Sequence, residues 1–369
     1  MRIAVIGSRG IPATYGGIER HVEELYSRIA ERGHEVTIYC RRGYIEPVRD
    51  RVQWQKFPRI GFYRNCRLIV QPAPAAKGIE AFAHSLAATL HAIQRPYDLF
   101  HYHAIGPSLF AALPKAMGKR VIATCHGLDW QREKWGPAQR RFLQWCERRM
   151  GHGIPELICV SRDLQRHFED TYQRRAIYIP NGAIVPPPPA QQDFPEFGLQ
   201  SQRYVAFFGR LTGEKEVHTL IEAFQRLSTD FKLAIIGGSS QTDEYVRRLR
   251  EMAGERVVFT GYAYGEQLNA LVANSAFVVN PSRMEGLPIA LLEAYALGKH
   301  VLASDIAPHR EVVESEAWLF KVGDVGELAE KLKALIDSEW SMRERALVER
   351  IQRENNWDKI AEETMGVFE

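Results

Sequence analysis

The apolar residues of this chain follow two alternating patterns. Short unbroken runs, such as Ile3-Ala4-Val5-Ile6 and Tyr204-Val205-Ala206-Phe207-Phe208, give way to stretches where apolar residues recur every three or four positions. The first pattern predicts strands buried on both faces, the second amphipathic helices. Residues 2–6 therefore read as a strand, followed by the glycine-bearing loop 7–17. Ile18, Val22, Leu25 and Ile29 then define a helix that Gly33 stops, and Val36-Thr37-Ile38-Tyr39-Cys40 reads as the next strand. Further strands are expected at 98–102, 120–125, 157–160 and 176–180, with helices at 77–94 and 137–150.

The alternation restarts beyond Pro186-Pro187-Pro188-Pro189, a run that can continue neither helix nor strand and reads as a stiff linker. Strands are expected at 204–208, 232–236, 257–259, 276–280 and 300–303, separated by helices at 215–228, 243–253 and 264–273 and one that opens at Pro288 and carries Glu293. Residues 327–369 read as helical throughout, apart from Asn355-Asn356-Trp357. Strand–helix alternation implies parallel sheets covered on both faces, an α/β class. We expect two Rossmann-like domains, 1–185 and 190–350, facing each other across a cleft. The final residues 351–369 are expected to form a helix packed back on the first domain. Ligands should bind at the carboxyl ends of the strands.

Size and composition agree with this reading. A chain of 369 residues can build two cores, and 45% hydrophobic with 25% charged residues is ordinary for a soluble protein. No run approaches the roughly 18–20 apolar residues that cross a bilayer. Met1 leads straight into a strand and not a signal peptide, so a cytoplasmic location is expected. Cys40, Cys66, Cys125, Cys146 and Cys159 contain no CxxC pair, which argues against zinc and disulfide frameworks. The net charge of +3 is unevenly spread: residues 1–190 hold 28 Lys+Arg against 16 Asp+Glu, and the remainder 20 against 29. The basic half suggests an anionic partner, and no nucleic-acid-binding signature accompanies it. Arg140-Arg141 and Arg148-Arg149 flank Phe142, Leu143 and Trp145, a pattern suited either to an anionic membrane surface or to an ordinary surface helix.

Chemistry concentrates at a few strand ends. Glu285 and Glu293 bracket Gly286-Leu287-Pro288 and an apolar stretch, and Pro288 suits the first position of a helix. Glu285 then lies at a helix mouth able to attract phosphate, with Glu293 inside the helix. The pair reads either as a hydroxyl-binding site or as part of a capped core helix. Arg210 and Lys215, after the strand 204–208, can converge on one anion or simply face solvent. Gly16 and Gly17 open a helix N-terminus to close approach, although loop 7–17 lacks the GxGxxG spacing of dinucleotide folds. His126 follows a strand and can donate to a sugar hydroxyl, act as a base, or be a satisfied bystander. Ser161 looks like a helix cap, and Asn181-Gly182 like a turn. The chain has no Asp-x-Asp, so no metal cofactor is expected to hold a diphosphate.

In order, Tyr15-Gly16-Gly17-Ile18-Glu19-Arg20-His21, His126-Gly127-Leu128-Asp129, Val160-Ser161-Arg162-Asp163-Leu164, Ile179-Pro180-Asn181-Gly182, Gly209-Arg210-Leu211 with Lys215, and the glutamate pair resemble the retaining family-4 glycosyltransferases of the GT-B fold. The opening Gly7-Ser8-Arg9-Gly10-Ile11-Pro12 is similar to a subgroup that builds bacterial surface polysaccharides, often as rhamnosyltransferases.

The resemblance implies a nucleotide-diphosphate-sugar donor and a glycan or lipid-linked acceptor. Glu293 would hold the ribose, Glu285 the donor sugar, and Arg210 and Lys215 the diphosphate, helped by Gly17 and the backbone of Gly286 and Leu287. His126 would contact the donor sugar, and the backbone around Tyr262 would read the base. Two departures stand out: Glu216 replaces the Gly that commonly follows the phosphate lysine, and Ala183-Ile184 follows Asn181-Gly182. A GT-B epimerase or phosphorylase, or a catalytically silent sugar-nucleotide-binding protein, are the competing readings.

Overall fold

The computed structural model describes residues 1–14, 16–73, 79–132, 135–239, 243–313, 315–338 and 343–368. Tyr15, the start of the helix expected from 77, and parts of the segment 327–369 lie outside the described residues. The chain divides into two compact units, Met1–Asn181 with Trp357–Glu369, and Gly182–Asn356.

The sheet of the first unit contains β1 (Arg2–Ile6), β2 (Glu35–Arg41), β3 (Gln53–Lys56), β4 (Ile60–Tyr63), β5 (Cys66–Gln71), β6 (Leu99–His103), β7 (Arg120–Cys125), β8 (Glu156–Cys159) and β9 (Ile177–Tyr178). Their order is β3-β4-β5-β2-β1-β6-β7-β8-β9. The run from β5 to β9 is parallel, whereas β3, β4 and β5 pair antiparallel. This antiparallel edge was not foreseen. Its β4–β5 turn is Arg64-Asn65, both left-handed at φ 44° and 62°, the geometry of a two-residue hairpin. Arg-Asn signals such a turn less clearly than Asn-Gly does. The interior strands are buried on both faces because helices cover them, which is why they read as unbroken apolar runs.

The second sheet contains β10 (Tyr204–Phe208), β11 (Lys232–Ile236), β12 (Val257–Gly261), β13 (Val278–Asn280), β14 (Val301–Ser304) and β15 (Leu319–Phe320), in the order β12-β11-β10-β13-β14-β15. Every pairing is parallel. The order reverses at β10, whose neighbours run outward in opposite sequence directions, so the carboxyl ends of β10 and β13 mark the switch point.

Each unit has its own core. One gathers Val22, Leu25 and Ile29 of the helix Gly17–Glu31 with β1, β2 and Trp357 and Ile360 from the chain's last helix. The other packs Val205, Phe207, Phe224, Leu233, Phe277 and Leu332. The chain returns to the first unit at Trp357, where Asp358 pairs with Arg28 and Arg32 at 3.5 and 3.0 Å. The helix Arg345–Glu354 stays with the second unit. The proline run also belongs to the second unit: Arg343 Nη2 donates to the Pro186 carbonyl at 3.3 Å, and the division falls earlier, between Asn181 and Gly182.

Candidate functional site

In the second unit, glycines let the backbone close up at the carboxyl edge of the sheet. Gly209 and Gly237 follow β10 and β11 with φ of 149°, and a Cβ on Gly237 would lie 1.9 Å from the Gly209 carbonyl oxygen. Beyond Gly209 the chain passes Arg210 and makes a single tight turn, Gly213–Lys215. Lys215 is therefore on that turn and not at a helix start. Glu216 follows with φ 51°, and the helix Val217–Gln225 begins.

A left-handed residue at this point gives a physical reason for a glycine there, since glycine alone adopts that conformation without strain. Glu216 takes it with its side chain buried and fully engaged. It accepts from Thr219 Oγ1 at 2.7 Å, lies 3.3 Å from His218 Nε2 and forms an ion pair with Arg283. The negative charge that Glu216 brings is thus balanced locally by Arg283.

The same contacts anchor the loop that carries Glu285. Arg283 N donates to the Glu214 carbonyl at 3.0 Å, and Ser282 Oγ donates to Asn280 Oδ1 at 2.6 Å. Ser304 Oγ, at the end of β14, donates to the Ser282 carbonyl. Lys215 then donates to Glu285 Oε1, both side chains being largely withdrawn from water at 17% and 13% exposure. Burial by itself raises the Glu285 carboxyl, but the Lys215 ammonium, by its charge and its hydrogen bond, outweighs it and holds the group below its ordinary range.

His309 was not foreseen from the sequence. It is fully buried, its Nδ1–H donates to the Ser304 carbonyl at 2.7 Å, and its Nε2 has no hydrogen-bond partner among the described residues. Burial lowers its pKa to about 4 despite the attraction of Glu285, so the ring is neutral with a bare Nε2. The only sequence signal was its place a few residues past a strand, in Ser304-Asp305-Ile306-Ala307-Pro308-His309.

Pro288 caps the helix Ile289–Ala296 from just outside, one position before the place expected for it. Gly286 and Leu287 lie in the loop before it, and Glu293 lies half-buried on the helix's second turn. Tyr262 follows β12, 37% exposed and stacked on Tyr264 at 5.8 Å, with its ring close against Gly238. The structure therefore joins Lys215 to Glu285, while Arg210, Glu293 and Tyr262 stand on separate elements of the same unit.

In the first unit, Gly7 ends β1 with φ 120°, where a Cβ would lie 2.1 Å from the His103 carbonyl oxygen. The loop that follows is fastened to the helix Gly17–Glu31 by its own carboxylates. Arg9 N donates to Glu19 Oε1 at 3.0 Å, and Ala13 N donates to Glu23. Gly16, at φ 106°, precedes the helix, and Gly17 is its first residue. Ser161 does cap a helix, accepting from Leu164 N at 3.2 Å.

His126, at the end of β7, is one member of a cluster. His101 and His103 alternate along β6, so both point to one face, and His21 comes from the helix Gly17–Glu31. The His101 and His103 rings stack at 4.6 Å, those of His103 and His126 at 5.2 Å, and His21 meets His126 edge-on at 4.7 Å. His21 Nδ1–H donates to Asn181 Oδ1 at 2.9 Å, giving Asn181 a buried role beyond its turn. Burial holds His21 near a pKa of about 4 and His101 near 3, and pushes His103 and His126 well below the ordinary value. The cluster is neutral at pH 7. The sequence signal passed over was the alternation His101-Tyr102-His103 within a strand.

Nitrogens of His21, His103 and His126 lie within 4.8 Å of one another, a set that could hold a transition metal. Three imidazoles on one tetrahedral ion sit closer, with nitrogens about 3.3 Å apart for bonds of about 2.0–2.1 Å.

The family model described as Glycosyltransferase Family 4 matches residues 15–184, and that described as Glycosyl transferases group 1 matches residues 190–353. An alpha-maltose-1-phosphate synthase of Mycolicibacterium smegmatis is 26% identical over 406 aligned residues, covering 100% of this chain and 99% of its own. An uncharacterised glycosyltransferase of Methanocaldococcus jannaschii is 29% identical over 392, covering 100% and 98%. The solved structure of sucrose-phosphate synthase from Thermosynechococcus elongatus superposes with a TM-score of 0.82 at 22% identity, covering 100% of this chain and 98% of that one. Anabaena HepE in complex with UDP and glucose gives 0.78 at 17% identity, covering 100% and 99%. With two Rossmann-like units and a family match across each, the chain belongs to the family-4 glycosyltransferases of the GT-B fold.

Proposed function

We propose that this glycosyltransferase is retaining and metal-independent, moving a sugar from a nucleotide-diphosphate donor to a hydroxyl of a glycan or lipid-linked acceptor in surface-polysaccharide synthesis. The observation that carries the reading is the buried Lys215–Glu285 pair held at the switch point of the second sheet. Its carboxylate is ionised and able to accept from sugar hydroxyls, and its ammonium can turn to a phosphate oxygen. Arg210 and the backbone of Gly286 and Leu287 add donors for the diphosphate. Glu293 is assigned to the ribose and Tyr262 to the base. Solved HepE with UDP-glucose supports a nucleotide sugar as the donor class.

With cationic and backbone donors at these positions and no Asp-x-Asp, the leaving charge is stabilised without a divalent ion. In the step proposed, the acceptor oxygen bonds to the anomeric carbon on the face the phosphate leaves. The carbon–oxygen bond to phosphate breaks, and the departing phosphate oxygen takes the acceptor's proton. Glu285 orients the sugar and forms no bond to it.

The acceptor is placed at an anionic membrane surface. No helix among the described residues is long and apolar enough to cross a membrane. The helix Pro137–Gly153, however, exposes Phe142 and Trp145, 42% and 48% exposed and stacked at 5.9 Å. Arg140, Arg141, Arg148 and Arg149 lie exposed around them. This joins an apolar wedge to positive charge, the combination that holds a helix on anionic lipid.

Screening UDP-, GDP- and dTDP-sugars for thermal stabilisation tests the reading. A true donor at 100 times its Kd adds about 2.7 kcal/mol. Stabilisation by none of them refutes the donor class, product of inverted anomeric configuration refutes retention, and loss of activity in EDTA refutes metal independence. Co-sedimentation with vesicles that ignores their anionic lipid content refutes the membrane role.

A further inference from the structure

The hydrogen bonds behind His126 determine what that residue can do. Tyr26, on the helix Gly17–Glu31, is fully buried, and its hydroxyl has one partner among the described residues, His103 Nε2 at 3.0 Å. His103 Nδ1 in turn lies 2.9 Å from His126 Nε2. His126 Nδ1, at the far end of the chain, meets no described residue in a hydrogen bond, and the side chain is part-exposed.

Only one distribution of protons satisfies every buried donor in this row. The imidazoles are neutral, since burial disfavours charge and each ring repels a charge on the next. Each ring thus carries a single N–H. If His126 Nε2 carried its proton, it would donate to His103 Nδ1. The His103 proton would then sit on Nε2 and donate to the Tyr26 oxygen, stranding the buried phenol O–H without an acceptor. A buried donor left unpaired is the expensive case. The reverse direction strands nothing: Tyr26 donates to His103 Nε2, and His103 Nδ1–H donates to His126 Nε2.

We propose that Tyr26 and His103 are positioning residues that lock His126 in its Nδ1–H tautomer, so that it faces the substrate as a hydrogen-bond donor and not as a base. The functional half of this rests on the assignment of His126 to the donor sugar; the tautomer does not. As a donor, His126 can polarise a sugar oxygen but removes no proton from the acceptor hydroxyl, which agrees with the departing phosphate taking it. The same row accounts for the facing nitrogens of His103 and His126 without a metal. An ion on His103 and His126 would need both facing lone pairs, displacing the proton they share and reversing the bond to Tyr26.

The test is nitrogen-resolved NMR of histidine-labelled, tag-free protein, with the His126 signals identified by their loss in His126→Gln. The expected spectrum shows His126 protonated at Nδ1 and bare at Nε2, and His103 likewise. A His126 protonated at Nε2, or a tetrahedral cobalt absorption band on titration with Co²⁺ that disappears in His103→Leu, overturns the proposal.

Two variants link the tautomer to turnover. His103→Leu removes the donor to Nε2 and is expected to show both His126 tautomers with about a tenfold lower kcat/KM. His103→Asn, whose amide nitrogen can stand near the place of Nδ1, is expected to restore both the single tautomer and the rate. Equal rates for His103→Leu and wild type overturn the functional half. If the tautomer is as stated and no nucleotide sugar binds, the donor reading fails while the lock stands.

Discussion

Replacing Lys215 by Met leaves the Glu285 carboxylate where it is and removes the charge that holds it there. Breaking a buried ion pair by deleting one partner costs about 3–5 kcal/mol. With 17% and 13% of the two side chains still exposed, the lower end applies, about 3 kcal/mol. An upper bound comes from protonation. A carboxyl with an unfolded pKa of about 4.3 can be neutralised at about 1.4 kcal/mol per pH unit, roughly 4.4 kcal/mol at pH 7.5 and about 1.6 at pH 5.5.

Without Lys215 the folded pKa of Glu285 moves from below the unfolded value to above it. Its destabilising effect then grows as pH rises toward the folded pKa and fades as pH falls toward 4.3. Lys215→Met should therefore lose about 3 kcal/mol at pH 7.5 and distinctly less at pH 5.5, where the stranded carboxyl can take up a proton cheaply. Adding Glu285→Gln should restore most of the loss at pH 7.5, since neither charge then remains. Urea titration read by hydrogen exchange at the amides of 278–304 measures the second unit specifically. A deficit equal at the two pH values, or a double variant whose loss is the sum of the single losses, would refute the buried-pair argument.

Other outcomes follow from the same structure. On lowering the pH from 7 to 5, the first unit should weaken: His21, near a pKa of about 4, refuses a proton that the unfolded chain accepts below about 6.5, at about 2 kcal/mol for this residue alone at pH 5. A urea midpoint for that unit unchanged between pH 7 and 5 would contradict the neutral cluster. Glu293→Ala should weaken nucleotide binding by about 1.5–3 kcal/mol in calorimetry, and Arg210→Ala should nearly abolish turnover; full activity in both would remove the site assignment. Gly237→Ala should lower Tm sharply, because its Cβ would fall 1.9 Å from the Gly209 oxygen, and an unchanged Tm would show that the β10–β11 edge is not so closely built.

What could be read directly from the sequence was periodic or ordered along the chain. Unbroken apolar runs marked most of the strands, since a strand covered on both faces must be apolar at consecutive positions. The order of the motifs carried the family, and a chain-end helix could be expected, although it begins at Trp357 and not at 351, which lies within the preceding helix Arg345–Glu354. The edge hairpin β3–β4–β5 escaped because its strands are short, half-exposed and joined by Arg64-Asn65. Length and composition allowed two domains, but a stiff proline run was a poor guide to where the chain passes from one unit to the other.

Partnerships needed the tertiary structure, because they join residues far apart in sequence through the sheet's geometry. Lys215 and Glu285 are 70 positions apart, and Tyr26 and His103 are 77. Glu216 is a departure from the family pattern whose charge Arg283, 67 positions on, offsets. His126 alone allowed a donor, a base or a bystander. Sequence determined the kinds of element and the family. Only burial and distance decided which charges cancel and which nitrogen holds a proton, since both depend on neighbours that the linear chain does not reveal.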